Sequence, residues 1–215
     1  MKNQKYKKPK SYSDFTIQDL QDMFGIKDKI DALNLCRKEV EPSEWLLATF
    51  AKHKGLPIAS EKAKSEMLIT PILLDMHERQ PSAFSFFSGY TFEVDKNLAL
   101  TGRCDYLITK EIQSTNIEAP IIGIFEAKDD SLDKWYGQCG AEMYAARLFN
   151  ERQKEDYPVI FGAVTNGFIW QFLKLERNIL QIDSETFAIQ NLPKLLGALQ
   201  SLIDFYGNKN QLSEG

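Results

Sequence analysis

Glu126, Lys128 and Asp105 are the residues of this chain whose types and spacing could do chemistry. Glu126 and Lys128 stand one residue apart at the end of an apolar run, "IIGIFEAKDD", residues 121–130. Strand side chains alternate faces, so this acid and base point the same way, about 7 Å apart along the strand. Asp105 lies in "LALTGRCDYLIT", whose alternation puts Leu98, Leu100, Cys104, Tyr106 and Ile108 on one face and Thr101, Arg103 and Asp105 on the other. If the two runs are neighbouring strands, Asp105 and Glu126 converge. Two carboxylates about 5 Å apart repel by about 3 kcal/mol at an effective dielectric near 20. Such a pair needs a proton, a lysine or a divalent cation. A hard ion such as Mg²⁺ takes one or two carboxylates and keeps several waters, and a lysine on the same face can orient one of those waters. That is equipment for metal-assisted attack on a phosphodiester.

The triplet by itself carries little weight. Against the thirty acids of the chain, chance alone supplies about three acid-x-Lys triplets. Glu126-Ala127-Lys128 is the one present. Its context gives it meaning: the end of an apolar strand, an aspartate on the preceding strand, and a helix directly after. Each residue also has a plainer reading. Glu126 and Lys128 can be a same-face ion pair worth at most about 1 kcal/mol if exposed, and Asp105 can be a partner for Arg103.

The elements that must position these residues follow from periodicity. Thr16 with Asp19 resembles an N-terminal cap, and Gly25 is placed to end that helix. Residues 28–38 show weak helical spacing through Ile30, Leu33 and Leu35. Ser43 caps "EWLLATFAKHKG", closed by Gly55, and Ser60 begins "EKAKSEMLITPILLDMHER", with Met67, Leu68, Pro71, Leu74 and Met76 as its apolar face. Pro71 must kink this helix or start a new one. "FSFFSGYTFEV" and "LALTGRCDYLIT" form an antiparallel hairpin, and "PIIGIFEAK" is a central strand, apolar on both faces. The helix "SLDKWYGQCGAEMYAARLFN" lays Leu132, Tyr136, Cys139, Met143 and Ala146 on the sheet, with Gly137 and Gly140 allowing close approach. A hairpin turns at Asn166-Gly167, and a strand near 179–182 and a helix over 193–206 follow. The order predicts an α/β domain, a mixed central sheet flanked by helices.

"GRCDYLI", a spacer, "IGIFEAK" and a helix with "QCGAEMYAA" together resemble the PD-(D/E)xK nuclease superfamily. The core order of that superfamily, helix, three strands, helix, strand, matches residues 60–165. The remainder, "FGAVTNGFIWQFLKLE", resembles uncharacterised bacterial members and the nuclease domains of type I restriction subunits. The resemblance covers about 150 residues. Composition and periodicity make 1–12 a basic, disordered tail, 13–58 a helical extension and 208–215 a disordered tail; the resemblance implies a restriction-endonuclease-like fold with a nuclease core over 59–207. It implies Asp105, Glu126 and Glu66 as ligands of Mg²⁺ or Mn²⁺, and Lys128 as the residue positioning or activating the attacking water. Gln138 would support the site or contact substrate. One letter departs from the pattern: Cys104, not proline, precedes the aspartate. The activity implied is hydrolysis of phosphodiester bonds, with DNA as partner, by an endo- or exodeoxyribonuclease, alone, as a homodimer or within a larger defence or repair complex. The alternative is a nuclease-like module without activity, used for binding or assembly, or a subunit whose partner supplies affinity for DNA.

Composition narrows the classes. The net charge of −4 and pI near 5.4 argue against a dedicated nucleic-acid coat protein. Residues 1–10 hold Lys2, Lys5, Lys7, Lys8 and Lys10 and no acid, a solvated tail or, less simply, a phosphate-attracting arm. No run of apolar residues is long enough to span a membrane, and no secretory signal is apparent, so a cytoplasmic protein is expected. Cys36, Cys104 and Cys139 read as reduced packing residues. His53 and His77 read as surface residues, and Trp135, Tyr136 and Trp170 as packing aromatics more readily than as base-stacking platforms.

Overall fold

The computed structural model describes residues 8–112, 114–129 and 131–207; residues 1–7 of the tail expected over 1–12, and the whole tail expected over 208–215, lie outside the described residues. Thr16 and Asp19 form the expected capping box on α1 (Ile17–Phe24), and Gly25, at φ 68°, closes it. The chain then departs from the weak helical pattern over 28–38. Lys27–Asp31 form β1, a fully exposed edge strand paired in parallel with the last strand of the sheet. The pairing partners lie about 150 residues away in sequence, and backbone hydrogen bonding to an open strand edge outweighs a weak local propensity.

Ser43 caps α2 (Glu44–His53), and Ser60 caps α3 (Glu61–Lys64) through Ala63 N at 3.1 Å. The long helix expected from residue 60 is interrupted. Ser65–Ile69 form a π-helical turn before α4 (Thr70–Arg79), with Pro71 in the first turn of α4. The cause is chemical. Proline has no N–H, so Met67 loses the donor its carbonyl would meet in an α-helix. His53 Nδ1 supplies it instead, 2.9 Å from Met67 O. His53 is therefore a half-buried structural donor, and His77 likewise bonds Phe84 O at 2.9 Å; neither is a plain surface residue. The π turn also rotates the apolar face. Leu74, expected inward, is 41% exposed, while Ile69, Ile72 and Leu73 are buried with Leu68 and Met76.

Seven strands follow one sheet in the order β1-β7-β6-β5-β4-β3-β2, comprising β2 (Ser85–Asp95), β3 (Leu100–Thr109), β4 (Ile121–Ala127), β5 (Val159–Thr165), β6 (Ile169–Glu176) and β7 (Ile179–Ala188). The β4–β5 pair is parallel, as is β1–β7, and the others are antiparallel. α5 (Tyr136–Arg152) lies on one face with α1, while α4 and α6 (Leu192–Gly207) cover the other, giving a three-layer α/β domain with a core on each side. No helix among the described residues is long and apolar enough to cross a membrane.

Residues 8–58 are not an appendage. They complete the sheet with β1 and place Tyr12, Phe15, Leu20 and Leu46 in the two cores, so the packed chain begins within the segment expected to be a tail. Gly137 makes that packing possible: a Cβ there would stand 2.4 Å from Phe15 O.

Candidate functional site

The strand alternation that nominated Asp105 is broken where Asp105 sits. Leu100, Cys104 and Leu107 enter the core under α5, whereas Tyr106 and Ile108 enter the other one. The one-face grouping of Cys104, Tyr106 and Ile108 is thus corrected. Across the hairpin, Ser88 pairs with Tyr106 and Tyr90 with Cys104, and between them Gly89 adopts φ 68°, a conformation that lets β2 and β3 change face together.

On the other side of β3, regular pairing with β4 runs only as far as Tyr106 and Phe125. Beyond it, the two acids complete the ladder with their side chains. Asp105 Oδ2 accepts from Ala127 N at 2.8 Å, and Glu126 Oε1 accepts from Asp105 N at 3.4 Å. Among the described residues, no hydrogen bond takes Asp105 Oδ1.

Lys128 follows the last residue of β4, and its N–H donates to Thr165 O at 2.7 Å, prolonging the register with β5. Its Nζ lies 3.0 Å from Glu126 Oε2 and 4.6 Å from the Trp135 ring centroid. Trp135 therefore sits under the site lysine, and Trp170 is wholly buried in the core. Burial pulls the Lys128 ammonium down, but Glu126, Asp105 and Glu61 more than offset it and hold its pKa above the ordinary lysine value.

Gln138, in the first turn of α5, is 5% exposed and donates through Nε2 to Glu126 Oε2 at 2.8 Å and to Glu142 Oε1 at 3.0 Å. Glu142, unforeseen from the sequence, is fully buried beside Glu126. Desolvation, then the neighbouring Asp105 charge, raise Glu126 from 4.5 to about 7, against the hydrogen bond from Glu142 and the attraction of Lys128. Glu142 is raised further, first by desolvation and then by Glu126. Burial and the closeness of the two carboxyls thus shift both toward the protonated form. A signal for Glu142 existed in the sequence: it lies three residues past Cys139 and four before Ala146, an acid within an apolar helical stripe.

The acid that α3 contributes is Glu61, not Glu66. Glu66 is exposed and paired with Lys62 at 3.7 Å. Glu61, half-buried, faces the site; burial, Asp105 and Asp129 raise its pKa while Lys128 and Lys64 oppose them. The loop after β4 anchors it, since Asp129 accepts from Glu61 N at 3.1 Å and pairs with Lys64 at 2.8 Å. The structure thus brings together Asp105, Glu126, Lys128 and Gln138, adds Glu61 and Glu142, and leaves Glu66 outside.

Asp105, Glu126 and Glu61 offer only carboxylate oxygens, the donor type Mg²⁺ or Mn²⁺ takes, and among the described residues no hydrogen bond takes Asp105 Oδ1. The one group of three among the described residues whose ligand atoms lie within 4.8 Å of one another is a deeper one, Cys104, Glu126 and Glu142. A thiol is a soft donor, and burial raises that of Cys104 well above its ordinary pKa, so the deeper set does not suit Mg²⁺. No protein-family model matches the chain, and no curated protein matches its sequence.

Proposed function

We propose that the protein is a cytoplasmic, divalent-metal-dependent nuclease of the restriction-endonuclease-like fold that hydrolyses phosphodiester bonds in DNA. One observation carries this reading: Asp105, Glu126 and Lys128 meet where β3 and β4 part, with Glu61 of α3 facing them. Asp105, Glu126 and Glu61 would hold Mg²⁺ or Mn²⁺, which when bound neutralises phosphate charge and lowers the pKa of a water. Lys128, ion-paired and backed by Trp135, is an ammonium. It donates hydrogen bonds to a water or a phosphoryl oxygen and orients the attack. Gln138 fixes the Glu126 carboxylate by donating to Oε2. The test is cleavage of linear, supercoiled, single-stranded and branched DNA in Mg²⁺ or Mn²⁺. Loss of the products in Asp105→Ala supports the reading, and no cleavage of any of these substrates by the native chain refutes it.

A second reading, a binding or assembly module without activity, draws on the commitment of both Glu126 oxygens within the protein. Oε1 takes the Asp105 N–H, and Oε2 takes Gln138 and Lys128. Calorimetric titration separates the two. Saturable Mg²⁺ or Mn²⁺ binding that disappears in Glu126→Ala supports the enzyme, and no saturable binding supports the module.

A further inference from the structure

Acids outnumber cations around the site. Glu61, Asp105, Glu126 and Asp129 surround it, with Glu142 beneath. Of the lysines beside them, Lys64 is tied to Asp129 at 2.8 Å and Lys128 to Glu126 at 3.0 Å. A polyanion approaching this surface meets net negative charge, because the charge of each lysine is already offset by a carboxylate.

Arg103 is placed differently. It is exposed, and among the described residues it makes no hydrogen bond or ion pair. Its backbone pairs with Thr91, but its side chain folds back along the hairpin over Gly89: a Cβ at Gly89 would stand 2.7 Å from Arg103 Nη2 and 3.2 Å from Nε. Gly89 lies between the pairs Ser88–Tyr106 and Tyr90–Cys104, hence across from Asp105. The missing side chain at Gly89 leaves the guanidinium a seat on β2 across from Asp105, and the expected Arg103–Asp105 ion pair does not form among the described residues. A planar guanidinium held without a carboxylate partner suits bidentate recognition of a phosphate.

We propose that Arg103 is a substrate-contacting residue that binds a backbone phosphate of the nucleic acid next to the one attacked at Asp105. The proposal rests on the nuclease reading for the identity of the polyanion. It assigns Arg103 to positioning, since phosphate contacts set register and affinity without reading sequence.

The test uses the full chain, a fluorescein-labelled DNA oligonucleotide in single- and double-stranded form, and the variants Arg103→Ala and Arg103→Lys. Binding is followed by anisotropy in Ca²⁺ and cleavage in Mg²⁺. The expected result for Arg103→Ala is a KM and Kd about 10- to 100-fold higher with kcat within about threefold, and a salt dependence of log affinity shallower by about 0.7–0.9, the loss of one phosphate contact. Arg103→Lys restores the salt slope but only part of the affinity. Thermal unfolding and the Mg²⁺ titration stay as in the native chain, because the side chain is exposed. Unchanged Kd and salt slope in Arg103→Ala overturn the proposal while leaving cleavage, and with it the nuclease reading, intact. Arg103-dependent binding without cleavage in Mg²⁺ or Mn²⁺ supports the contact and removes the nuclease. A native chain that neither binds nor cuts either oligonucleotide overturns both.

Discussion

Both helical layers bury an acid, and the two are compensated differently. In the α4–α6 layer, Asp75 is 1% exposed, and Arg79 one turn later clamps its Oδ2 through Nε and Nη2 at 3.0 and 2.9 Å. Oδ1 has no partner among the described residues, but the charge is matched one to one. Under α5, Glu126 and Glu142 share one lysine and one amide, and Glu142 Oε2 and Gln138 Oε1 have no partner among the described residues. The first arrangement is self-sufficient. The second has more carboxyls than cations, and burial shifts both carboxyls toward the protonated form. Buried charge that is matched holds a helix in place, whereas buried charge left short of a cation marks the place where another positive group belongs.

The largest expected effect tests whether the unmatched side does chemistry. Asp105→Ala or Lys128→Ala lowers the cleavage rate by about 10³-fold or more, roughly 4 kcal/mol of transition-state stabilisation, with circular dichroism unchanged. The control on the matched side is Arg79→Ala. It leaves Asp75 buried without its cation and costs about 2–3 kcal/mol of stability in urea denaturation, discounted for the partial exposure of Arg79, while the activity of the folded fraction stays as it was.

Acidity sharpens the comparison next. Glu126 is raised from 4.5 to about 7 in the folded chain, and Glu142 moves the same way. The folded state therefore binds more protons than the unfolded state between these values. The stability this confers is complete below about pH 4.5 and is lost as pH rises through about 7. Urea denaturation at pH 5 and pH 8 should show Glu126→Gln shrinking the difference in stability by about 2–3 kcal/mol. An equal pH dependence in variant and native chain would contradict the buried, proton-holding pair. The smallest effect concerns the acids of α3 and of the π turn after it. Glu66→Ala breaks only the exposed pair with Lys62 and changes stability by no more than about 0.5 kcal/mol, with cleavage intact, whereas Glu61→Ala slows cleavage. The reverse ranking would return Glu66 to the site.

Much of the site was legible because strands encode their faces locally. The apolar run into Glu126 and the alternation before Asp105 placed both residues on neighbouring strands, and Lys128 fell on the same side of β4 as Glu126. Helical phase was harder to read. The π turn before Pro71 follows from a missing donor at one residue and a histidine 14 positions away that replaces it, so the apolar pattern alone turns Leu74 inward, and Glu66, which the resemblance implies, lies exposed. Glu142 was hidden for another reason. An acid in an apolar stripe is visible, but its burial becomes tolerable only once Gln138 and Glu126 are found beside it.

By itself the sequence determined strands β2 to β7 of the sheet, the hairpin turns, the caps at Thr16, Ser43 and Ser60, and the candidate trio of Asp105, Glu126 and Lys128, because each rests on spacing within a few residues. The tertiary structure alone decided that β1 joins β7, that Glu61 faces the site, that Glu126 is buried beside Glu142, and that Arg103 lies over Gly89 with no ion pair among the described residues. These depend on distances between residues far apart in the chain, where burial and charge, not local propensity, set the energy.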